Sequence, residues 1–338
     1  MPETTDVILE AKDLQKTFPV RGSALLPKNR KVVHAVDGVS FSLHRGKTLG
    51  LVGESGCGKS TTGRLLVGID KPTGGEVLYE GRDLLSLPKS EFQSARLNLQ
   101  MIFQDPYASL NPRKRVIDIL SAPILYHGME TRDTVDKRID ELLDMVGLSK
   151  SARTRYPHEF SGGQRQRITI ARALALKPQV IVCDEPVSAL DASIQAQILN
   201  LLKSLQRELG VTYLFIAHGL GAVHYISDEI AVMYLGKIVE QGEGSQVFHH
   251  PAHPYAGLLV QAVPSMDPKK RGQITVPDGE VPSAIDLPKG CRFAERCPFA
   301  TDQCRQEEPE LKPVSGREPG HLAACWHPLA APGEGKEA

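Results

Sequence analysis

The chain has 338 residues, 41% of them hydrophobic, which suffices for a packed core and at roughly 100–200 residues per domain predicts two domains. Its 40 Lys plus Arg balance 40 Asp plus Glu, so no bulk positive field exists to hold nucleic acid. No run of about 18 apolar residues occurs, so no membrane-crossing helix is expected, and the acidic start MPETTDVILEAKD carries no secretory pattern.

A basic stretch, Arg21 to Lys31, holds four positive residues and no acid and reads as a solvated loop. Val39, Phe41 and Leu43 alternate with polar neighbours, the pattern of a half-buried strand. Thr48 to Val52 is a short apolar run that ends in glycine, and a helical pattern follows Lys59. Between them, Gly53-Glu54-Ser55-Gly56-Cys57-Gly58-Lys59-Ser60 matches GxxxxGK-S/T in the strand–loop–helix setting the motif requires. Glycines let the backbone wrap closely, so that successive N–H groups point at phosphate oxygens. The helix start adds partial positive charge. Lys59 is expected on the β- and γ-phosphates and the Ser60 hydroxyl on magnesium. Cys57 reads as a small filler, with a redox role as the alternative.

Val135, Ile139, Leu142, Leu143 and Val146 share one helical face. Ser161 is a good N-cap, and Gly162 and Gly163 bare the first N–H groups of the helix that follows Gln164, which makes a second anion site. Val180 to Cys183 is an apolar strand that empties into Asp184 and Glu185. Asp184 would hold magnesium, and Glu185 would act on the attacking water as general base. Ile194, Ile198, Leu201, Leu202, Leu205 and Leu209 form another helical stripe, and Tyr213 to Ala217 another apolar run. Such runs predict parallel strands buried on both faces, hence an α/β fold with a nucleotide-type core.

Periodicity fades near Phe248, and prolines crowd the rest: Pro251, Pro254, Pro264, Pro268, Pro277, Pro282, Pro288 and Pro298. A boundary near residue 250 is expected, followed by a loop-rich tail and an unstructured end from about Ala330. Four of six cysteines lie there, Cys291, Cys297, Cys304 and Cys325, spaced C-x5-C-x6-C-x20-C. A tail poor in core needs a staple. A reducing cytosol disfavours disulfides, and four thiolates can hold zinc or an iron–sulfur cluster. His321 and His327 flank Cys325; they read as surface histidines, with service to zinc as the alternative.

These elements, in this order, resemble the ATP-binding cassette ATPases over residues 10–250. The resemblance implies a P-loop cassette over residues 1–250, with a RecA-like core and a helical subdomain at about 105–178, and a C-terminal extension over 251–338. It implies ATP and Mg2+ as ligands. Gln104 in MIFQDPYASLNPR fits the Q-loop, which feels magnesium and couples to the membrane subunit. Ser161 to Gln164 fits the signature, Asp184 and Glu185 the Walker B acids, and Ser188-Ala189-Leu190-Asp191 the D-loop. Thr61 follows the phosphate loop, His218 fits the switch histidine at the γ-phosphate, and Phe18 the adenine-stacking aromatic. The family commonly has Asp after that histidine, where this chain has Gly219.

YASLNPRKRV, DEPVSALDASIQAQILNLL and His253-Pro254-Tyr255 resemble the ATP-binding subunits of dipeptide and oligopeptide importers, nearest their F-type branch. That resemblance implies two permease subunits, a second ATPase subunit and an extracytoplasmic peptide-binding protein as partners, at the cytoplasmic membrane face. It also implies a 4Fe–4S cluster on the four cysteines, with zinc or unligated thiols as the alternatives. In the cassette mechanism two subunits meet head to tail with ATP between the loop of one and the signature of the other. Two other readings remain: an ATPase of a non-transport complex of the phosphonate-degrading kind, and an importer of another small solute.

Overall fold

The computed structural model describes residues 7–20, 31–263 and 282–330. Most of the basic stretch (21–30), Pro264, Pro268, Pro277, the first six residues and the end beyond Ala330 lie outside the described residues.

Two long strands open the chain, β1 (Val7–Pro19) and β2 (Val32–His44), paired antiparallel. Val39, Phe41 and Leu43 all point into the core, as their alternation predicts. The short strand β3 (Thr48–Val52) is buried at every residue and leads through a loop into α1 (Lys59–Leu66). Then β4 (Gly74–Tyr79) and β5 (Arg82–Asp83) complete a four-stranded antiparallel sheet of order β2-β1-β4-β5. Next, α2 (Lys89–Asn98) and β6 (Leu99–Ile102) return the chain to the second sheet. The helical layer follows: α3 (Pro106–Ser109), α4 (Val116–Tyr126), α5 (Val135–Met145) and α6 (Gly162–Leu174).

The remaining strands and helices are β7 (Val180–Asp184), α7 (Ala192–Leu209), β8 (Thr212–Ala217), α8 (Leu220–Ile226), β9 (Glu229–Tyr234), β10 (Lys237–Glu243), α9 (Gly244–His249), α10 (Pro254–Gln261), α11 (Asp302–Gln306), β11 (Lys312–Pro313) and β12 (Leu322–Ala323). The second sheet runs β11-β12-β10-β9-β3-β8-β7-β6 among the described residues. Its centre is parallel: β3 pairs with β8 and β9, and β7 with β8 and β6. The reason is visible in the sequence: β3, β7 and β8 are mostly apolar, with Thr48, Asp184 and Thr212 at their ends, and are buried on both faces. Alternate residues of β7 serve two cores. Val180 and Val182 face α1 and the antiparallel sheet, while Ile181 and Cys183 face the helical layer and α7. On α7, Ile198, Leu202 and Leu205 are buried, whereas Leu209, in its last turn before Gly210, is 44% exposed.

The C-terminal residues close onto this frame. Strand β12 pairs with β10 through Glu240↔Ala323 and Gln241↔Leu322, and β11 pairs with β12. Phe293 is buried and meets Tyr234 edge-on at 5.3 Å between ring centroids and Tyr255 at 5.4 Å. Truncating such an aromatic costs about 3–5 kcal/mol. The Arg292 guanidinium is buried and donates to Asp37, to the Leu235 carbonyl and to Glu308. Arg317 donates to the carbonyls of His250 (2.9 Å) and Leu329 (2.9 Å). Ion pairs, ring contacts and strand pairing supply the staple that the poverty in apolar runs seemed to demand from a metal. His321 corrects a second expectation. It is not on the surface but 2% exposed, with Nε2 2.7 Å from the buried Glu240 carboxylate. His327 is exposed and bonds Thr301 at 3.0 Å.

Glu240 also accepts the backbone N–H groups of Ala252 (2.8 Å) and His253 (2.7 Å), which fixes the start of α10. There His253 caps the helix, its Nδ1 accepting the Tyr255 N–H at 3.1 Å. Full burial pulls the His253 imidazole down from 6.5 to about 3. The folded protein thus holds this ring neutral, while the unfolded chain protonates it below about pH 6.5. The stability it contributes is complete above that pH and declines as pH falls toward 3, by up to about 1.4 kcal/mol per pH unit. Urea unfolding at pH 7 and pH 4 should therefore show a larger loss for the wild type than for His253→Gln, by on the order of 3 kcal/mol; equal losses would contradict this placement of the ring.

Candidate functional site

The sheet order sets β3, β8 and β7 side by side and parallel, so their C-terminal ends share one edge. Crevices at that edge are where open α/β sheets bind ligands. The phosphate-loop motif leaves β3, Asp184 and Glu185 end β7, and His218 follows β8. Residues 124 to 165 positions apart in sequence are brought together by three apolar strands.

The loop is tightly built. Gly58 sits at φ +108°, and a Cβ there would lie 2.0 Å from the Ala35 carbonyl oxygen, so only glycine fits. The Gly53 Cα faces the Met233 carbonyl as closely, at 2.1 Å from where a Cβ would stand. The Cys57 carbonyl accepts the Gly236 N–H at 2.9 Å. Cys57 itself is buried, and burial pushes its thiol above the ordinary range, so it stays a neutral filler. Ser55 and Gly56 are exposed at the loop's crest, and Thr61 is half-buried behind it.

Lys59 is only 4% exposed, and its Nζ donates to the loop's own carbonyls, Gly53 at 2.7 Å and Glu54 at 2.9 Å. A buried ammonium must be hydrogen-bonded. Ser60 Oγ donates to Asp184 Oδ1 at 2.8 Å. Burial lifts the Asp184 carboxyl above the usual carboxylate range, the Ser60 bond pulling the other way and Glu185 adding repulsion. Glu185 is one of the few non-glycine residues in left-handed backbone, at φ 45°. Such strain collects at working sites. Its Oε2 accepts from Gln104 Nε2 at 2.9 Å and lies 3.7 Å from His218 Nδ1. A cavity of about 260 Å³ opens beside these residues, bounded by Glu185, Ser188, Gln195, His218 and Leu259. Gly219 caps α8, and a Cβ there would meet nothing within 4 Å.

The other expected residues are held by contacts of their own. Ser161 caps α6: its Oγ accepts from Gln164 N at 3.3 Å, and Gln164 Oε1 accepts the Ser161 N–H at 3.1 Å. Gly162 and Gly163 begin that helix, with Gly163 packed on Ile194. Asp191 caps α7, accepting from Ile194 N at 3.0 Å and Ser193 Oγ at 2.8 Å, bonds that hold its carboxyl below the ordinary range. Phe18, on β1 opposite Val33, is 40% exposed with the Lys16 ammonium 5.1 Å from its ring centre.

The metal expectation for the cysteines is overturned. Cys291, Cys297, Cys304 and Cys325 do line one cavity, with Phe293 and Trp326, but its free volume is about 10 Å³, roughly that of one water. Burial pushes the Cys291 thiol up to about 11 and the Cys325 thiol up to about 12, as expected for thiols packed among apolar groups. Among the described residues, no group of three or more His, Cys, Asp or Glu is placed to hold a metal ion. The four side chains pack as small apolar groups against the Phe293 core, and neither the iron–sulfur nor the zinc reading stands.

Two contacts on the phosphate loop escape sequence reading. The Tyr255 hydroxyl accepts the Glu54 N–H at 2.8 Å. Arg296 grips the Glu54 carboxylate with both terminal nitrogens, at 2.8 and 2.9 Å. No motif joins residues 201 and 242 positions apart.

Comparison with known proteins agrees with this geometry. The sequence pattern of the ABC transporter family matches residues 36–188, and that of the oligopeptide/dipeptide transporter C-terminal region matches residues 239–304. The oligopeptide transport ATP-binding protein AppF of Bacillus subtilis is 50% identical over 95% of this chain and 97% of its own length. The dipeptide transport ATP-binding protein DppF of Escherichia coli is 48% identical over 94% of each chain. The chain belongs to the ABC transporter family, among the ATP-binding proteins of oligopeptide and dipeptide transport. Among solved structures, cbiO1 of Clostridium perfringens, part of an ABC transporter complex, aligns with TM-score 0.62 at 28% identity, over 72% of this chain and 92% of that one. The ATP-binding cassette MJ0796, a dimer in a post-hydrolysis state with ADP and Pi, aligns with TM-score 0.62 at 28% identity over 70% and 98%. No helix among the described residues is long and apolar enough to cross a membrane.

Proposed function

We propose that the chain is the ATP-hydrolysing subunit of an importer of dipeptides or oligopeptides. One observation carries this reading: Glu185, hydrogen-bonded to Gln104 at 2.9 Å and 3.7 Å from His218, stands at the same sheet edge as Lys59, Ser60 and Asp184. A phosphate cradle stands beside an acid that can polarise water.

Lys59 exchanges the Gly53 and Glu54 carbonyls for the β- and γ-phosphate oxygens, while the loop N–H groups of Gly53 to Ser60 and the start of α1 face the anion. The residues fit a magnesium ion. Ser60 Oγ and Asp184 Oδ1 are hard oxygen donors 2.8 Å apart, and the burial that penalises the charged Asp184 carboxylate is a penalty a cation there would relieve. Ser60 and Asp184 would hold the ion, with Gln104 close by, and when bound it supplies neutralising charge to the phosphates. Glu185 takes the water's proton as general base, Gln104 orients the carboxylate, and His218 donates to the developing charge on the γ-phosphoryl group. Phe18 stacks on adenine.

The signature residues Ser161, Gly162, Gly163 and Gln164 cap a helix whose first N–H groups serve the nucleotide of a second cassette, with Asp191 at that junction. Closure of two cassettes on ATP would then drive a pair of permease subunits through the Gln104 segment, on the cytoplasmic face of the membrane, with substrate delivered by an extracytoplasmic peptide-binding protein. Residues 1–250 form the cassette, including the helical part at about 105–178, and 251–338 the transporter-type extension. Similarity to AppF and DppF over nearly the whole chain supports peptides as the cargo. Co-purification with integral permeases tests it; recovery in a soluble enzyme complex instead would overturn it.

Glu185→Gln should keep ATP binding and slow turnover in the assembled complex by a factor of 100 or more, about the contribution of a positioned base; unchanged turnover would remove Glu185 from that role. Lys59→Ala should lose ATP affinity at least tenfold in a nucleotide titration, and unaltered binding would place the nucleotide elsewhere.

A further inference from the structure

Glu54, second residue of the phosphate loop, is fixed at three points. Its carbonyl accepts from Lys59 at 2.9 Å, its N–H donates to Tyr255 Oη at 2.8 Å, and its carboxylate receives the Arg296 fork. The last two partners come from the C-terminal region. The Arg296 side chain is only 7% exposed, against 30% for Glu54. Its guanidinium also donates to the Tyr234 hydroxyl at 3.2 Å and lies 5.7 Å from the ring centres of both Tyr234 and Phe293. These rings are locked by the aromatic cluster with Tyr255, so the arginine is aimed by rigid groups rather than by a floating stem.

This geometry is odd for a loop meant to receive a triphosphate. A carboxylate within the cradle repels the anion, and in a partly buried site that repulsion is little screened. A planar, bidentate guanidinium is the group best suited to cancel it. We propose that Arg296 is a positioning residue for nucleotide binding: it neutralises Glu54 and holds its carboxylate toward the C-terminal region, so that the phosphate loop presents net positive charge. This rests on ATP occupying that loop. The C-terminal region is then an integral part of the nucleotide site, and its docking sets ATP affinity while leaving the chemical step to Glu185 and His218.

The test is ATP titration of the full chain and hydrolysis kinetics of the assembled complex. Arg296→Ala should weaken ATP binding about tenfold and raise KM alike, with kcat within about twofold of wild type. Arg296→Lys, which keeps the charge but loses the fork, should recover part of the affinity and fall between wild type and Arg296→Ala. Adding Glu54→Gln to Arg296→Ala should restore most of the lost affinity, because the unpaired charge is gone; a merely structural brace would not be rescued by removing its partner. Wild-type affinity in Arg296→Ala, an Arg296→Lys variant that binds more weakly than Arg296→Ala, or no rescue in the double variant would each overturn the proposal. Lys59→Ala in the same titration separates the two readings: if it too binds ATP normally, the loop is not the nucleotide site. If only Lys59→Ala fails, the role of Arg296 alone falls.

Discussion

Much of the structure follows from one constraint, the burial of the Lys59 ammonium. A cation removed from water must be hydrogen-bonded or it destabilises the fold by several kcal/mol. Here the partners are the carbonyls of Gly53 and Glu54, contributed by the loop that leads into the lysine's own helix. The loop must therefore wrap around the side chain, which requires the close approach at Gly53 and the positive φ at Gly58. It must also start from a fixed point, and β3 provides one by being buried at every residue between β8 and β9. Carbonyl dipoles are adequate but modest partners for an ammonium. Phosphate oxygens carry full charge, so a triphosphate at this loop would favour exchange of the lysine onto it.

The second organising feature is the way the C-terminal region is attached. Its residues bury Phe293, pair β12 onto β10, and send Arg292 to Asp37 and Arg296 to Glu54. Glu240 ties the start of α10 to His321, and α10 in turn presents Tyr255 to the loop. A segment with few apolar runs is thus stabilised by packing on Tyr234 of β9 and Tyr255 of α10 and by polar pairs with Asp37 and Glu54. That is why it needs no metal staple of the kind its cysteines suggested.

Contiguous chemistry was legible in the sequence, and long-range pairing was not. The phosphate loop, the strand ending in Asp184 and Glu185, and the Ser161 cap are local patterns with local causes: glycine at a strand–helix turn, an apolar run that stops, a hydroxyl at a helix start. Because β3, β7 and β8 are mostly apolar and buried on both faces, their parallel pairing followed, and with it the approach of Glu185 and His218. Arg296 was invisible because its value depends on Tyr234, Phe293 and Glu54 all arriving at one place. The cysteines misled for the same reason. Their number and crowding read as ligands, but spacing alone says nothing of the volume left between them, and that volume holds no more than about one water. His321 was misjudged as exposed because its buried partner, Glu240, lies 81 positions away.

The most direct measurement is thermal unfolding of the full chain across a series of Mg-ATP concentrations. A ligand that binds only the folded state at the Lys59 loop stabilises it by RT ln(1 + [L]/Kd), about 2.7 kcal/mol at 100 times Kd. The midpoint should climb steadily with Mg-ATP, and AMP, which lacks the β- and γ-phosphates that Lys59 would hold, should leave it unmoved. A midpoint that is flat in millimolar Mg-ATP, or that rises equally with AMP, would contradict the assignment of this loop as the triphosphate site.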